Sequence, residues 1–385
     1  MIHWFTSKSE AAGIKALADA VAKRGVTWVD TAIAGGDAAK AAAINRTQAG
    51  DPPGALQLNT GKELDDIYAN GLIRNVDDVA AEGHWKDVLP SALYNAIVRD
   101  GHVVAIPINN YAQNRLFYSK AVLAEAGITE PPKTWDEMFS ALDKLKTKGF
   151  IPLALGAQPW QERVLFNAVL VGVAGKELFA KIWHDNDPDA IKSDEFRKSV
   201  EIFGRLRGYV DPASANREWN QTTLLLAQKK AGFQFMGDWA KGELVAAGQR
   251  PGVDFGGVFG PDQPIFIFGG DVFVLPVSNN ETLKKAQDVF AGAVFEKEAQ
   301  TKASLEWGSI PARTDVDLSN FDAIAGDGVE SMRDPTRNSP DPNVLATSDN
   351  VSSLSDLIAE YWATSSMDVQ TFVDRWSETA ELARQ

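Results

Sequence analysis

Residues able to do covalent or metal chemistry are sparse in this chain. Its four histidines, His3, His84, His102 and His184, show no metal-ligand spacing, and none belongs to an H-E-x-x-H pair. There is no cysteine, which removes disulfides, zinc–thiolate and iron–sulfur centres, and a cysteine nucleophile. No G-x-S-x-G elbow, G-x-x-x-x-G-K-[ST] loop or post-strand G-x-G-x-x-G is present. Gly54…Gly61-Lys62 approaches a phosphate loop but has the wrong spacing. No metal and no cofactor is expected. Glu10, Asp37 and Asp238 fall at predicted helix starts, and Asp271 in an extended stretch. There they could accept bonds from ligand hydroxyls or, as a flanking pair, hydrolyse a glycoside.

Aromatic residues beside polar ones are more informative. They occur in Trp4-Phe5-Thr6-Ser7 with Glu10, in Gln158-Pro159-Trp160-Gln161, in Asp238-Trp239, and in Trp307-Gly308-Ser309. Sugars need this combination. Indole and phenyl faces pack against the C–H faces of the ring, while hydroxyls need carboxylate acceptors and amide donors. The chain has 11 Trp, 19 Phe and 6 Tyr. Most such rings pack inside cores, so position decides more than number.

These residues need a scaffold to converge. Ile2–Phe5 reads as a buried strand, followed by an Ala-rich helix from Ser9-Glu10 to about Lys23. Val26–Ile33 has strand density, Gly35-Gly36-Asp37 leads a second helix, and Asp51-Pro52-Pro53-Gly54 precedes strand Ala55–Leu58. This β-α-β-α-β order predicts a parallel, doubly wound sheet with ligands at the carboxyl ends of its strands. Phe5–Glu10, Ala34–Asp37 and Asn59–Lys62 share that rim. Thr134…Glu137 is a capping box opening a helix through Lys148. Ala231–Phe235 is a strand, and Gly252–Gly260 reads as a turn. Pro264–Pro276 is extended, Glu281–Glu296 and Lys297–Trp307 are helical, and the polar stretch 326–350 reads as an irregular loop before a final helical region. Asn109 and Asn110 suit a crossover between lobes.

At 385 residues the chain is long enough for two domains. Thirty-eight Lys+Arg against 52 Asp+Glu give a net charge of −14, which excludes generic nucleic-acid binding and adhesion to an anionic membrane surface. The first residues carry neither a basic nor an apolar leader segment. A cytosolic protein and a mature exported one are both compatible with that.

Trp4-Phe5-Thr6-Ser7…Glu10 resembles the H-W-W-T-S-x-x-E opening of glucose/galactose-type solute-binding proteins of bacterial sugar ABC importers. Ala34-Gly35-Gly36, Gly50-Asp51-Pro52-Pro53, Thr134-Trp135-Asp136-Glu137 and Gly156-Ala157-Gln158-Pro159-Trp160-Gln161 resemble the same family. So do Leu206–Pro212, Met236-Gly237-Asp238-Trp239-Ala240-Lys241-Gly242-Glu243 and Gly308-Ser309-Ile310-Pro311-Ala312-Arg313. The resemblance implies an α/β, type II periplasmic binding protein-like fold, with two doubly wound lobes around a central cleft and hinge crossovers. The expected lobes are 1–108 with 265–310, and 109–264 with 311–385. It further implies a monomeric periplasmic receptor, any export leader lying outside this sequence, which delivers a sugar to the permease subunits of an ABC transporter.

Carried over residue by residue, the family pattern changes here. The tandem tryptophans become Trp4 and Phe5, and the glutamate is kept as Glu10. A lysine is replaced at Asn59, and Asn-Ser-Asp becomes Gly269-Gly270-Asp271. The lysine before Gly-Ser-Ile-Pro becomes Trp307, a late histidine near Thr347–Asp349 is missing, and Asn-Trp becomes Asn114-Arg115. The expected ligand site is therefore Glu10 and Asp271 as acceptors, with Trp4, Phe5, Trp160, Trp239 and Trp307 as walls. Asn59, Asn114 and Arg115 would be donors. The lost donors disfavour plain glucose in the family's usual pose, since an unpaired buried donor or acceptor costs about 1–3 kcal/mol. A monosaccharide in another pose, a glycosylated sugar against Trp307, or an acidic sugar on Arg115 remain open, as does a hydrolase using Glu10 and Asp271.

Overall fold

Strand Ile2–His3 ends early because Ser7 caps helix Lys8–Lys23 only four residues later. The cap is a full box. The Ser7 hydroxyl accepts from the Glu10 amide, and the Glu10 carboxylate accepts from the Ser7 amide. In the computed structural model, which describes residues 1–384, the chain forms two units. One is Met1–Tyr111 with Gly269–Phe321, and the other is Ala112–Phe268 with everything from Asp322 onward.

In the first unit the sheet order is Thr31–Ala32, Ile2–His3, Leu56–Asn59, Asp271–Pro276, Ile73–Arg74, with Ile106–Pro107 also pairing with Asp271–Pro276. The first three run parallel, as βαβ units require. Asp271–Pro276 runs antiparallel to Leu56–Asn59, with Asp271 opposite Asn59. That reversal places the start of the late strand at the carboxyl end of the early ones. The strand expected over Val26–Ile33 shrinks to Thr31–Ala32. Helices Lys8–Lys23 and Lys297–Trp307 pack where Gly13 leaves no side chain. A Cβ there would lie 2.1 Å from the Trp307 indole nitrogen.

In the second unit the order is Ile151–Leu153, Ala231–Met236, Arg115–Ser119, Phe255–Val258. The first pair is parallel and the others antiparallel. Phe255–Val258 is thus a strand within a segment read as a turn. Helix Pro159–Trp183 lies in an aromatic core with Phe166, Phe196, Phe203, Phe372 and Trp376.

Two further expectations are corrected. The stretch 326–350 is structured, with helix Ala323–Arg333, strand Asn338–Pro340 and helix Pro342–Leu345. Within it Asp341 caps a helix by accepting from the Asn343 amide, with Pro342 at the first helical position, and just before it Asp322 caps another; composition alone reads such residues as loop. The chain passes between units at 111/112, 268/269 and 321/322, against the expected 108/109, 264/265 and 310/311. The third passage lies later because Asn110 and Ile310 exchange both backbone hydrogen bonds, tying 308–312 to the first unit. No helix among the described residues is long and apolar enough to cross a membrane.

Candidate functional site

The carboxyl rim of the first sheet gathers Trp4, Gln57, Asp271, Asn109 and Glu10. Leu56 and Leu58 point one way from their strand, into apolar core, and Gln57 points the other. Gln57 is fully buried, and it is used at both ends. Its Oε1 accepts from the Trp4 amide at 3.1 Å and its Nε2 donates to Asp271 Oδ1 at 3.2 Å. Asn109 does the same on the other side. Its Nδ2 donates to Asp271 Oδ2 at 2.9 Å, and its Oδ1 accepts from the Asp271 amide at 2.8 Å. Asp271 is therefore a buried carboxylate oriented by two neutral amides.

Four successive backbone amides, at Trp4, Phe5, Thr6 and Ser7, all donate to side chains. Trp4 uses Gln57, Phe5 uses His3 Nδ1 at 3.2 Å, and Thr6 and Ser7 both use Glu10 Oε2 at 2.9 and 2.8 Å. The loop has no ladder to satisfy these donors, so the side chains do it and fix its path. Burial pushes the Glu10 carboxyl up to about 7. The Ser7 and Thr6 amides work against that shift, and the charge of Asp271 adds to it.

Trp4 is half-buried, and the first turn of helix Gly36–Gln48 runs past its ring, a Cβ at Gly36 lying 3.7 Å away. Close by the rim, the buried hydroxyls of Thr60 and Ser309 have no hydrogen-bond partner. Gly270 is where Thr60 Oγ1 and the Asn109 carbonyl crowd together, leaving 2.7 Å between a Cβ and that carbonyl.

Two first-unit residues expected at the site lie inside the fold instead. Phe5 is buried, edge-on to Trp307 with centroids 5.2 Å apart. Trp307 is 2 % exposed and its indole N–H donates to the Glu10 carbonyl at 3.0 Å. It is a helix-packing residue over Gly13 and offers no open face to a ligand. Asn59 turns to Glu63, whose Oε2 takes the Asn59 amide at 2.9 Å and lies 3.4 Å from its side-chain nitrogen.

In the second unit, Trp160 and Trp239 are both half-buried and pair with centroids 6.3 Å apart. Trp239 comes two residues after Gly237, whose missing side chain the indole occupies, a Cβ there meeting the ring at 2.1 Å. Trp219 packs on the same apolar cluster. The sequence reading missed it, although Glu218-Trp219-Asn220 is the same aromatic-beside-polar signal. Gln57 and Asn109 were missed too. For Gln57 the available signal was one polar residue at an alternating position in a buried strand.

Asn114 and Arg115 do not form a donor pair for ligand. The Asn114 amide bridges the Ile265 carbonyl and the Ile267 amide. Arg115 is wholly buried. Its Nε donates to Asp238 Oδ1 at 2.6 Å and its Nη1 to Asp327 Oδ2 at 3.1 Å, and its guanidinium lies 4.1 Å from the Phe259 centroid. Asp238 Oδ2 also accepts from the Ala112 amide at 2.9 Å. Beside them Lys241 Nζ donates to Asp322 Oδ2 at 2.8 Å. Burial lowers the Lys241 pKa despite that partner. Burial would raise Asp322, but Lys241 together with the Ala325 and Ile324 amides holds the carboxyl low. Glu162, in the first turn of helix Pro159–Trp183, is pushed up to about 7 by burial. Among the described residues no cluster of three or more His, Cys, Asp or Glu could hold a metal.

The chain is similar to known proteins over most of its length. Residues 16–326 match the family described as bacterial extracellular solute-binding protein. A probable sugar-binding periplasmic protein of Rhizobium meliloti (strain 1021) is 36% identical over 341 residues, covering 88% of this chain and 81% of that protein. A protein of the same description from Mesorhizobium japonicum is 38% identical over 337 residues, with 86% and 80% covered. The structure of a chitin oligosaccharide binding protein superposes with a TM-score of 0.86 at 20% identity, covering 99% of this chain and 97% of that one. A structure of the receptor AcbH, described as preferring β-D-galactopyranose, gives 0.82 at 19% identity, with 98% and 95% covered.

Proposed function

The chain belongs to the bacterial extracellular solute-binding proteins, and from that premise we propose that it is the periplasmic sugar receptor of an ABC importer. Its sugar is neutral and bound at the first-unit rim. One observation carries this reading: Asp271, a buried carboxylate aimed by Gln57 and Asn109, shares a hydrogen-bond chain with the backbone of the half-buried Trp4. A carboxylate so held can accept from ligand hydroxyls without reorganising, and an indole supplies the apolar face a pyranose needs. Glu10 lies within electrostatic reach of Asp271, and two carboxylates disfavour an anionic guest. The acidic-sugar expectation rested on Arg115, which is committed to Asp238 and Asp327. Trp160, Trp219 and Trp239 offer aromatic surface on the second unit. Delivery to permease subunits belongs to the same proposal.

The relatives are named as binding proteins, and nothing favours hydrolysis by Glu10 and Asp271. The test is intrinsic tryptophan fluorescence against D-glucose, D-galactose, D-xylose, chitobiose and D-glucuronate, with subsequent recovery of the sugar. A saturable change with a neutral sugar that is recovered intact is expected. No change with any neutral sugar, or a preference for D-glucuronate, refutes the reading. Release of cleaved product would instead support the hydrolase.

A further inference from the structure

His3 is 1 % exposed at the end of the first strand, and both ring nitrogens are used. The Phe5 amide donates to Nδ1 at 3.2 Å, a buried bond. Nε2 lies 2.6 Å from Asp30 Oδ1, which also accepts from the Trp28 indole at 2.9 Å. An amide N–H needs a bare nitrogen to accept it, so Nδ1 carries no proton and Nε2–H is the donor to Asp30. Burial lowers the His3 pKa, against the pull of Asp30, which is consistent with an uncharged ring.

This ring sits at the root of the loop that carries Trp4. Phe5 packs edge-on to both Trp4 and Trp307, and Trp4 is one residue from the bond that His3 makes. Gln57 holds the Trp4 amide and Glu10 holds those of Thr6 and Ser7. His3 thus supplies the one link in this loop that neither site carboxylate provides, directly or through its amides.

We propose that His3 is a positioning residue, whose Nε2–H tautomer, selected by Asp30, accepts the Phe5 amide and so fixes the Trp4 indole for ligand. The consequence for ligand rests on the sugar-binding reading, but the geometry can be tested without any sugar. Two-bond proton–nitrogen correlation spectra of the unliganded, 15N-labelled protein near neutral pH should show His3 with a bare Nδ1 and a protonated Nε2. A protonated Nδ1, as the other tautomer or as imidazolium, overturns the proposal.

His3→Leu removes the acceptor. His3→Asn retains an oxygen in the Nδ1 position and loses the bond to Asp30. Exchange of the Phe5 amide should be about tenfold faster in His3→Leu, as for a buried donor left unpaired, and return toward wild type in His3→Asn. The 19F resonance of 5-fluoro-Trp4 should move in His3→Leu and return in His3→Asn. If both variants lose stability equally while Trp4 and Phe5 stay as in wild type, His3 is merely structural and the proposal fails. Asp30→Ala, at a half-exposed side chain, guards against His3 variants that do not fold. It should mix the His3 tautomers and shift Trp4 in the same direction, and an unchanged spectrum would overturn the proposal. With these satisfied, a failed D-glucose or D-galactose titration would count against the sugar reading alone.

Discussion

Replacing Glu10 with glutamine is expected to stabilise the protein in mild alkali and change it little in mild acid. Glu10 is buried, and its folded-state pKa is about 7 against 4.5 when solvated. Between those values the folded chain holds a proton that the unfolded chain has released, so stability falls as pH rises through the interval. A rise of about 2.5 units corresponds to roughly 3 kcal/mol, lost in full once the pH exceeds about 7. Glutamine keeps an oxygen for the Thr6 and Ser7 amides and never ionises. Urea unfolding of both proteins, monitored by fluorescence at several pH values from about 5 to 8.5, gives the difference curve. That difference should stay below about 1 kcal/mol at about pH 5 and approach roughly 3 kcal/mol in favour of Glu10→Gln at about pH 8.5. Wild type alone cannot isolate the effect, because Glu162 is pushed to about 7 as well. Parallel curves for the two proteins would show that burial of the Glu10 charge is not what the folded state resists.

The packing and the site lead to further outcomes. Asp271→Asn should weaken sugar binding by about tenfold to a hundredfold, the loss of one or two charge-assisted bonds, and should also lower the unfolding midpoint, because its new NH2 must face the Gln57 or Asn109 donor. An unchanged dissociation constant for the sugar that gave the fluorescence response would remove Asp271 from the site. Gly13→Ala forces a methyl group into the Trp307 ring and should cost about 1–3 kcal/mol in urea unfolding; a neutral result would mean the two helices separate freely. Lys241→Met leaves Asp322 without its cation and should destabilise by about 3 kcal/mol. Stability unaltered by the change would show that the buried pair only offsets its own desolvation. Arg115→Met should lower stability in the same assay, because Asp238 stays buried beside it, while the ratio of D-glucuronate to D-glucose affinity stays as in wild type.

Local signals in the chain are enough for much of this. The apolar strands read at Ile2–Phe5 and Ala55–Leu58 and the β-α-β-α-β order make the first sheet legible and put Trp4 and Glu10 at its rim, and the Thr134 cap marks a helix of the second unit. These depend on neighbours within a few residues or on one pairing rule, which a linear reading can supply. Tertiary structure decided which polar and aromatic residues point where. Trp307 looked like a wall because tryptophan stands where the family pattern that the sequence resembles has lysine, yet Gly13, nearly three hundred residues earlier in the chain, opens the space that buries it. Arg115 looked like a free cation, but Asp238 and Asp327, more than a hundred residues away, neutralise it in the interior. Gln57 looked ordinary and Asn109 only a crossover residue until the antiparallel return of Asp271–Pro276 brought a carboxylate between them. Composition names the groups able to bind a sugar. The cost of burying an unpaired donor or charge selects which of them are spent inside the fold and which are left for the ligand.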